Sequence, residues 1–404
     1  MKLFFDDPDF DGEFARTLGK IYWGMADAGE CFSAASMVTD GDRASWQHAW
    51  SSIADSVALE AERMRARGHR RSAGEAFGRA SEYVRQSYIF DRIDIADDPM
   101  LMAWECQRGW FRSMLELLDV DWAPLTVPYA DSTLDGYLFF PQGASGPCAT
   151  IVAPASYDAP AEEFWSLTAV PALRRGYAVA IYDGPGQGGA LYERSLHLRP
   201  DWEAVSSQVV AQLRTYERVD ATRLVSFGRG LGGYLAPRAA ARTDDFAACV
   251  ADPGLYDLGA LVTARLPNEL CSAITAGVVS ASAHFDAMIA ADSRQHAYYM
   301  QRAVVHGVTS PSAYLRELQH YVVPAADIRC PTLVTMQPGD TQSRALLDAL
   351  TCDKYLVMFT ESEGAGGHSR GAGQAIFAQR VFDWLDDVMQ PNAVRASAAA
   401  HHDG

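Results

Sequence analysis

Residues 223–241 read RLVSFGRGLGGYLAPRAAA, and no stretch limits the fold of this chain more. A short apolar run (Leu224, Val225, Phe227) meets a glycine cluster, and small residues with helical spacing follow. Such a strand–turn–helix unit places the chain among proteins with alternating strands and helices. Two known devices share its shape. One is the dinucleotide fingerprint G-x-G-x-x-G, matched by Gly228, Gly230 and Gly233. The other is the nucleophile elbow G-x-S-x-G, framed by Gly228 and Gly232 but with Gly230 where the serine belongs.

The surrounding sequence supports a sheet. TLDGYLFFP (133–141), ATIVAP (149–154), YAVAIYD (177–183), RLVSF (223–227), AACVAD (247–252), TLVTM (332–336) and KYLVMF (354–359) are apolar runs of strand length. Helix-like segments separate most of them, so the sheet is expected to be mostly parallel with helices on both faces. Residues 1–123 read as a helical N-terminal domain. Ile53, Val57, Ala61 and Met64 fall on one helix face, as do Phe77, Ala80, Val84 and Tyr88, and Gly68 suits a helix end. The core is expected over 124–254 and again over 326–390. A helical insertion over 255–325 is placed where a lid would sit, and 391–404 read as a disordered tail.

The fingerprint is the weaker explanation of the glycines. Asp252 lies at the end of the next strand, where a ribose-binding acid is expected. However, a second literal match, GPGQGG at 184–189, occurs elsewhere in the chain. The 228–233 run also follows about the fifth core strand, whereas dinucleotide folds place it on the first. The elbow accounts for more. Its triad runs nucleophile, acid, histidine in chain order. Asp340 follows the strand TLVTM, and His368 lies in the glycine-rich FTESEGAGGHSRG after the next strand.

The chain of 404 residues carries 34 basic and 51 acidic side chains, net −17, which argues against nucleic acid and anionic membrane surfaces as partners. The acidic start MKLFFDDPDF has no apolar core of a secretory signal, and no run is long enough to span a membrane. Seven scattered cysteines, none in a C-x-x-C pair, fit reduced thiols in a cytoplasm rather than a disulfide frame or a zinc site. No metal or cofactor is expected, and the terminal His401–His402 pair reads as incidental.

At its start the sequence has FFDDPDFDGEFARTLGKIYWGMADAGE and SAGEAFGRASEYVRQSYIF, and in the core YDGPGQGG, LRPDWEAV, GRGLGGYLAPRAAA and CVADPGLYDL. In these it resembles the α/β-hydrolases with an N-terminal helical domain, a group that includes bacterial dihydroxypseudooxynicotine hydrolase and fungal hydrolases that shorten polyketides. The resemblance covers most of the chain. It implies an α/β-hydrolase fold with a helical lid, a homodimer, and a C–C or ester hydrolase with a Ser–Asp–His triad. Asp340 and His368 match the acid and base, and Gly230 departs from the serine.

Without a side-chain nucleophile at the elbow, an acyl-enzyme has nothing to form on. Ser226 lies on the strand before the turn and is expected to pack, and Cys249 reads as core. His368 backed by Asp340 remains a base able to take a proton at neutral pH. An anion hole needs no serine side chain. The backbone amides of Leu231 and of Ala155 or Ser156 are the candidates. Base plus anion hole suits proton abstraction next to a carbonyl, followed by loss of a leaving group. The expected activity is therefore a lyase-type elimination on an acylated, carbonyl-rich polyketide or aromatic in secondary (antibiotic) metabolism. The chain is also similar to α/β-hydrolase-like proteins of tetronate pathways, for which elimination of acetate is the implied reaction. The alternatives are hydrolysis by His368-activated water and a non-catalytic metabolite-binding pseudo-hydrolase. Tyr157 and Asp158 are candidate substrate contacts or turn residues. Arg229 is a candidate partner for an acidic substrate or an internal ion pair, and Tyr298 and Tyr299 are expected to pack in the lid.

Overall fold

The computed structural model describes residues 2–367 and 371–389. Helices α1 (Pro8–Gly19), α2 (Ala28–Ser36), α3 (Arg43–Ala66), α4 (Arg70–Tyr88) and α5 (Asp98–Leu117) precede the first strand. Their starts are set locally. Asp7, Asp27, Asp42 and Asp97 each accept first-turn backbone N–H groups of α1, α2, α3 and α5, a cap worth about 1 kcal/mol. Beyond α3, Gly68 takes φ +81°, the left-handed turn that glycine allows at helix ends. The face of α4 made by Phe77, Ala80, Val84 and Tyr88 is buried, as the spacing predicts.

The sheet then forms in chain order. Its strands are β1 (Trp122–Tyr129), β2 (Ser132–Phe139), β3 (Cys148–Pro154), β4 (Ala178–Tyr182), β5 (Val219–Arg229), β6 (Phe246–Asp252), β7 (Thr332–Met336) and β8 (Lys354–Met358). Spatial order is β1-β2-β4-β3-β5-β6-β7-β8, with β2 antiparallel to its neighbours and the rest parallel. The expected α/β-hydrolase architecture is thus present. β1 is the strand that sequence pattern misses. Pro124 and Pro128 interrupt its run, and prolines are tolerated there because β1 is an edge strand.

Helices α6 (Val170–Leu173), α7 (Gly188–Tyr192), α8 (Trp202–Leu213) and α9 (Gly232–Ala240) fall between the inner strands. Five more, α10 (Leu258–Thr263), α11 (Asn268–Thr275), α12 (Val279–Ala290), α13 (Ser293–Val305) and α14 (Pro311–Glu317), fill the gap between β6 and β7. Helices α15 (Thr341–Ala349) and α16 (Gln374–Met389) follow β7 and β8. No single helix among the described residues is long and apolar enough to cross a membrane.

The alternation along each strand divides two cores. Ile151, Ala153, Val225 and Phe227 face the N-terminal helices and α16, while Val152, Leu224 and Cys249 face α8, α9 and the α10–α14 group. A buried charge cluster fastens the N-terminal helices to the turn after β3. Glu163 accepts from Arg16 Nε at 2.7 Å and Lys20 Nζ at 2.6 Å, and Lys20 also reaches Glu82 at 2.6 Å. Burial and the nearby Arg85 lower the Lys20 pKa, while burial is outweighed at Glu163 by three cations that hold its carboxyl well below the usual range.

Candidate active site

Strand β5 ends at Arg229, and the chain turns through Gly230 and Leu231 into α9. Gly230 takes φ +60°, and its N–H donates to the Asp252 carbonyl at 2.8 Å. A Cβ on Gly228 would lie 1.8 Å from the Gly232 carbonyl oxygen, so strand and helix could not approach as they do. The companion contact is made by Gly233, whose Cβ would lie 1.8 Å from the Pro253 oxygen. A Cβ on Gly232 would meet nothing within 4 Å, so the frame expected from Gly228 and Gly232 is held instead by Gly228 and Gly233.

The 184–189 glycine run leaves little backbone open to a pyrophosphate. Gly184 lies against Trp202, Gly186 against Leu198 and Gly188 against the Asp183 carboxylate. In this turn Gln187 is a clamp. Its Oε1 accepts Gly184 N–H at 2.9 Å, and its Nε2 donates to the Ala155 carbonyl at 2.8 Å. The close approaches that the fingerprint would reserve for a cofactor are made here by protein atoms.

The loop after β3 meets the elbow through Ser156. Of the amides expected to form the anion hole, Ala155 N–H donates to the Tyr182 carbonyl at 2.9 Å and Ser156 N–H to the Ala159 carbonyl at 3.0 Å. Leu231 N–H instead donates to Ser156 Oγ at 3.0 Å. The group facing the third candidate amide is therefore a hydroxyl, which both accepts and donates. Ser226 donates to the Ala236 carbonyl at 2.9 Å, and Cys249 is fully buried, which pushes its thiol pKa up.

The next two residues contact two other regions. The Tyr157 hydroxyl and His306 Nε2 share a hydrogen bond of 2.6 Å, and Tyr314 and Tyr321 pack against the same imidazole. Burial, then the Arg302 charge, drives His306 down to about 3, so it is neutral at pH 7. The Tyr157 carbonyl accepts from Arg92 Nη1 at 2.8 Å. Asp158 pairs with Arg92 and lies 3.8 Å from Arg302 Nη2. Burial opposes its ionisation, but these two guanidiniums hold its carboxyl well below the usual range. The stretch Ser156–Asp158 thus touches the elbow, the α10–α14 group and the N-terminal region at once.

Asp340 stands at the start of α15 as its N-cap. Its Oδ1 accepts from Gln342 N–H at 3.1 Å and Ser343 N–H at 3.0 Å, and its Oδ2 accepts from Ser343 Oγ at 2.6 Å. A carboxylate has about four acceptor sites, so an imidazole N–H can still be received. His368 lies outside the described residues, as does the 391–404 tail. Arg229, a candidate for an acidic substrate, points inward. It pairs with Asp252 at 3.0 Å, donates to the Leu167 carbonyl at 2.7 Å and stacks on Phe377. Its ionic partner is internal because β5 and β6 are in register at Arg229 and Asp252. Sequence pattern did not single out Arg92, Arg302 or His306. The signal available was local: Tyr298, Arg302 and His306 recur every four residues along one face of α13 and its C-cap.

Beneath this loop lies a carboxylate pair. Asp183 accepts Ala161 N–H and Gly189 N–H, each at 2.9 Å, and Glu162 accepts the Tyr137 hydroxyl at 2.8 Å. Burial, then the Glu162 charge, pushes Asp183 up to about 7. A raised carboxyl stabilises the fold below its unfolded pKa near 4, and that contribution is lost as pH rises through about 7. Glu162 Oε2 has no hydrogen-bond partner. Glu162→Gln replaces this unpaired oxygen with a donor beside a second carboxylate. The variant is expected to match the parent's melting temperature at pH 5 and exceed it at pH 8, by about 1–2 kcal/mol of stability. A difference that does not grow between these pH values would exclude repulsion within the pair.

Comparison with known proteins gives a consistent picture. The model of the prolyl oligopeptidase family matches residues 164–391. Hydrolase LUC6 of Fusarium sp is 31% identical over 413 residues, covering 96% of this chain and 98% of that protein. The 20-hydroxy-prefusarin hydrolase FUS2 of Gibberella moniliformis is 32% identical over 403 residues, covering 94% and 96%. Hydrolyase poxO of Penicillium oxalicum is 31% identical over 418 residues, covering 96% and 98%. Among solved structures, 2,6-dihydroxy-pseudo-oxynicotine hydrolase superposes with a TM-score of 0.73 at 21% identity, covering 92% and 96%. The protein AbyA5 superposes at 0.63 with 15% identity, covering 95% and 97%. At such identities the two structures establish a common fold.

Proposed function

The chain belongs to the prolyl oligopeptidase family of α/β-hydrolase-fold proteins, and from that premise we propose that it is a lyase-type enzyme of secondary metabolism that eliminates a carboxylate from an acylated, carbonyl-rich small molecule. The observation that carries this is the elbow itself. It keeps its turn and its Leu231 amide, yet at Gly230 it has no side chain to attack with. A site that cannot form an acyl-enzyme can still stabilise an enolate.

In the proposed reaction the substrate carbonyl oxygen takes the Leu231 N–H, and the Ser156 hydroxyl turns from accepting that bond to donating to the same oxygen. His368, oriented by Asp340, removes the proton next to the carbonyl. The C–H electron pair forms the enolate. The enolate then collapses to a carbon–carbon double bond as the acyloxy group leaves with its electron pair. The proton passes from the imidazole to solvent. A positioned base contributes about 10²–10⁴-fold, and each anion-hole donor about 10²–10³-fold.

The names of the relatives favour a second reading, hydrolysis, for which water activated at His368 is the proposed route. Turnover of β-acyloxy carbonyl compounds in heavy-oxygen water separates the two. Elimination releases an unlabelled carboxylate with an unsaturated partner, whereas hydrolysis of the ester places label in the released acid. His368→Ala is expected to abolish either reaction, and full turnover in that variant would show that neither mechanism operates.

A further inference from the structure

Between α1, the segment joining α4 to α5, and α13 runs a surface cleft of about 260 Å³. In a chain with net charge −17, its lining holds five arginines and three carboxylates. The pairing is uneven. Arg16 is held by Glu163 behind the wall, and Arg294 by Asp9 across the mouth at 2.6 Å. Arg92 and Arg302 share a single carboxylate, Asp158. Arg43 forms no close ion pair among the described residues, although the Asp91 charge acts on it from beyond contact distance, and its guanidinium lies over the Phe90 ring, 5.6 Å from the centroid. Arg302 lies over the Tyr298 ring at 3.8 Å, with the Tyr157 ring at 5.6 Å. A second compartment of about 360 Å³ shares Arg43, Phe90, Asp9 and Arg294 with the first.

We propose that this cleft is the binding site for an anionic, planar, conjugated carbonyl compound. The negative group is held between Arg43 and Arg302, and the flat face lies on the Phe90 and Tyr298 rings. Rings already stacked by guanidiniums offer surface to a delocalised acid, which an isolated lysine would not. Arginines outnumber carboxylates in the lining, and two of them share one carboxylate, which favours an anion here over the general acidic surface. The cleft borders the loop that reaches the elbow. Asp158 lines it, and Ser156, two residues earlier, accepts the Leu231 N–H. Tyr157 and Asp158 form a bend there, so one short turn of chain joins the ligand site to the elbow. The assignment deepens the proposed elimination by naming its substrate class, and it rests on that reading only for the chemistry at the far end.

The test is binding without turnover. The probe is 3-acetyltetronic acid, which is planar, is ionised at neutral pH and has no acyloxy leaving group. Its neutral O-methyl ether and inorganic phosphate serve as comparators, with calorimetry on the full chain. The acid is expected to bind at least ten-fold tighter than either, and the difference from the ether is expected to shrink as salt is raised. Arg43→Gln is expected to weaken the acid five-fold or more and leave the ether unchanged. Arg302→Lys, which keeps charge but loses the planar stack, is expected to weaken the acid as well, with the melting temperature read for both variants. Equal affinity for acid and ether, phosphate binding as tight as the acid, or no effect of Arg43→Gln in a folded protein overturns the assignment. Loss of elimination with probe binding intact counts against the reaction alone, and failed probe binding with elimination intact counts against the cleft alone.

Discussion

Asp340→Asn is expected to lower turnover by about 10²–10⁴-fold while leaving the melting temperature nearly unchanged. Two roles meet at this side chain, and asparagine separates them. As N-cap of α15, Asp340 accepts two backbone N–H groups through Oδ1. Asparagine caps about as well, and its amide nitrogen, in place of Oδ2, can donate to Ser343 Oγ. That hydroxyl already has a second acceptor in the Gly254 carbonyl at 3.0 Å, so it can turn to it. As the proposed orienting acid, by contrast, an amide N–H placed opposite an imidazole N–H opposes donor to donor and selects the wrong tautomer. Asp340→Ala should add a loss of about 1 kcal/mol from the missing cap. Full turnover in the asparagine variant, with stability lost only on change to alanine, would make Asp340 a cap and nothing more.

Gly230→Ser is expected to convert the protein into an esterase. Activated acetate esters should be hydrolysed on the order of 10²-fold faster or more than by the parent, with a burst of acyl-enzyme, while the elimination declines. The turn already has the positive φ that an elbow nucleophile adopts. Glycine occupies it without strain, and serine should destabilise it by about 1–2 kcal/mol, a fall of a few degrees in melting temperature. The Ser156 hydroxyl, which accepts the Leu231 N–H at rest, should turn to donate to the tetrahedral oxyanion as it is proposed to do for the enolate. The double variant Gly230→Ser, Ser156→Ala should therefore be the slower esterase. If a folded Gly230→Ser protein gains no ester activity in either background, the elbow is not aligned with a base, and the proposed role of His368 fails with it.

Much of the scaffold was legible because strands and helix faces are local patterns. The apolar runs at 149–154, 247–252 and 332–336 fall on β3, β6 and β7, and Gly228 marked the turn at the end of β5. β1 was obscured by its two prolines, since an edge position cannot be read from the strand's own residues. The family resemblance was also legible, and the fungal relatives bear it out. Arg229 shows the opposite case. Beside a glycine turn it reads equally as a surface cation or an internal tie, and only the alignment of β5 with β6 places Asp252 against it.

By itself, the order of residues along the chain determined the sheet, the position of the elbow within it, and the absence of a nucleophile at residue 230. These follow from side-chain alternation, glycine placement and residue identity, all of which operate over a few neighbours. Tertiary structure alone decided that the Ser156 hydroxyl, and not its amide or that of Ala155, is turned to the elbow at Leu231, that Tyr157 meets His306, and that Arg43 and Arg302 line one cleft. Those contacts join residues 75, 149 and more than 200 positions apart. Their geometry depends on how separate elements pack, which no short window of sequence contains.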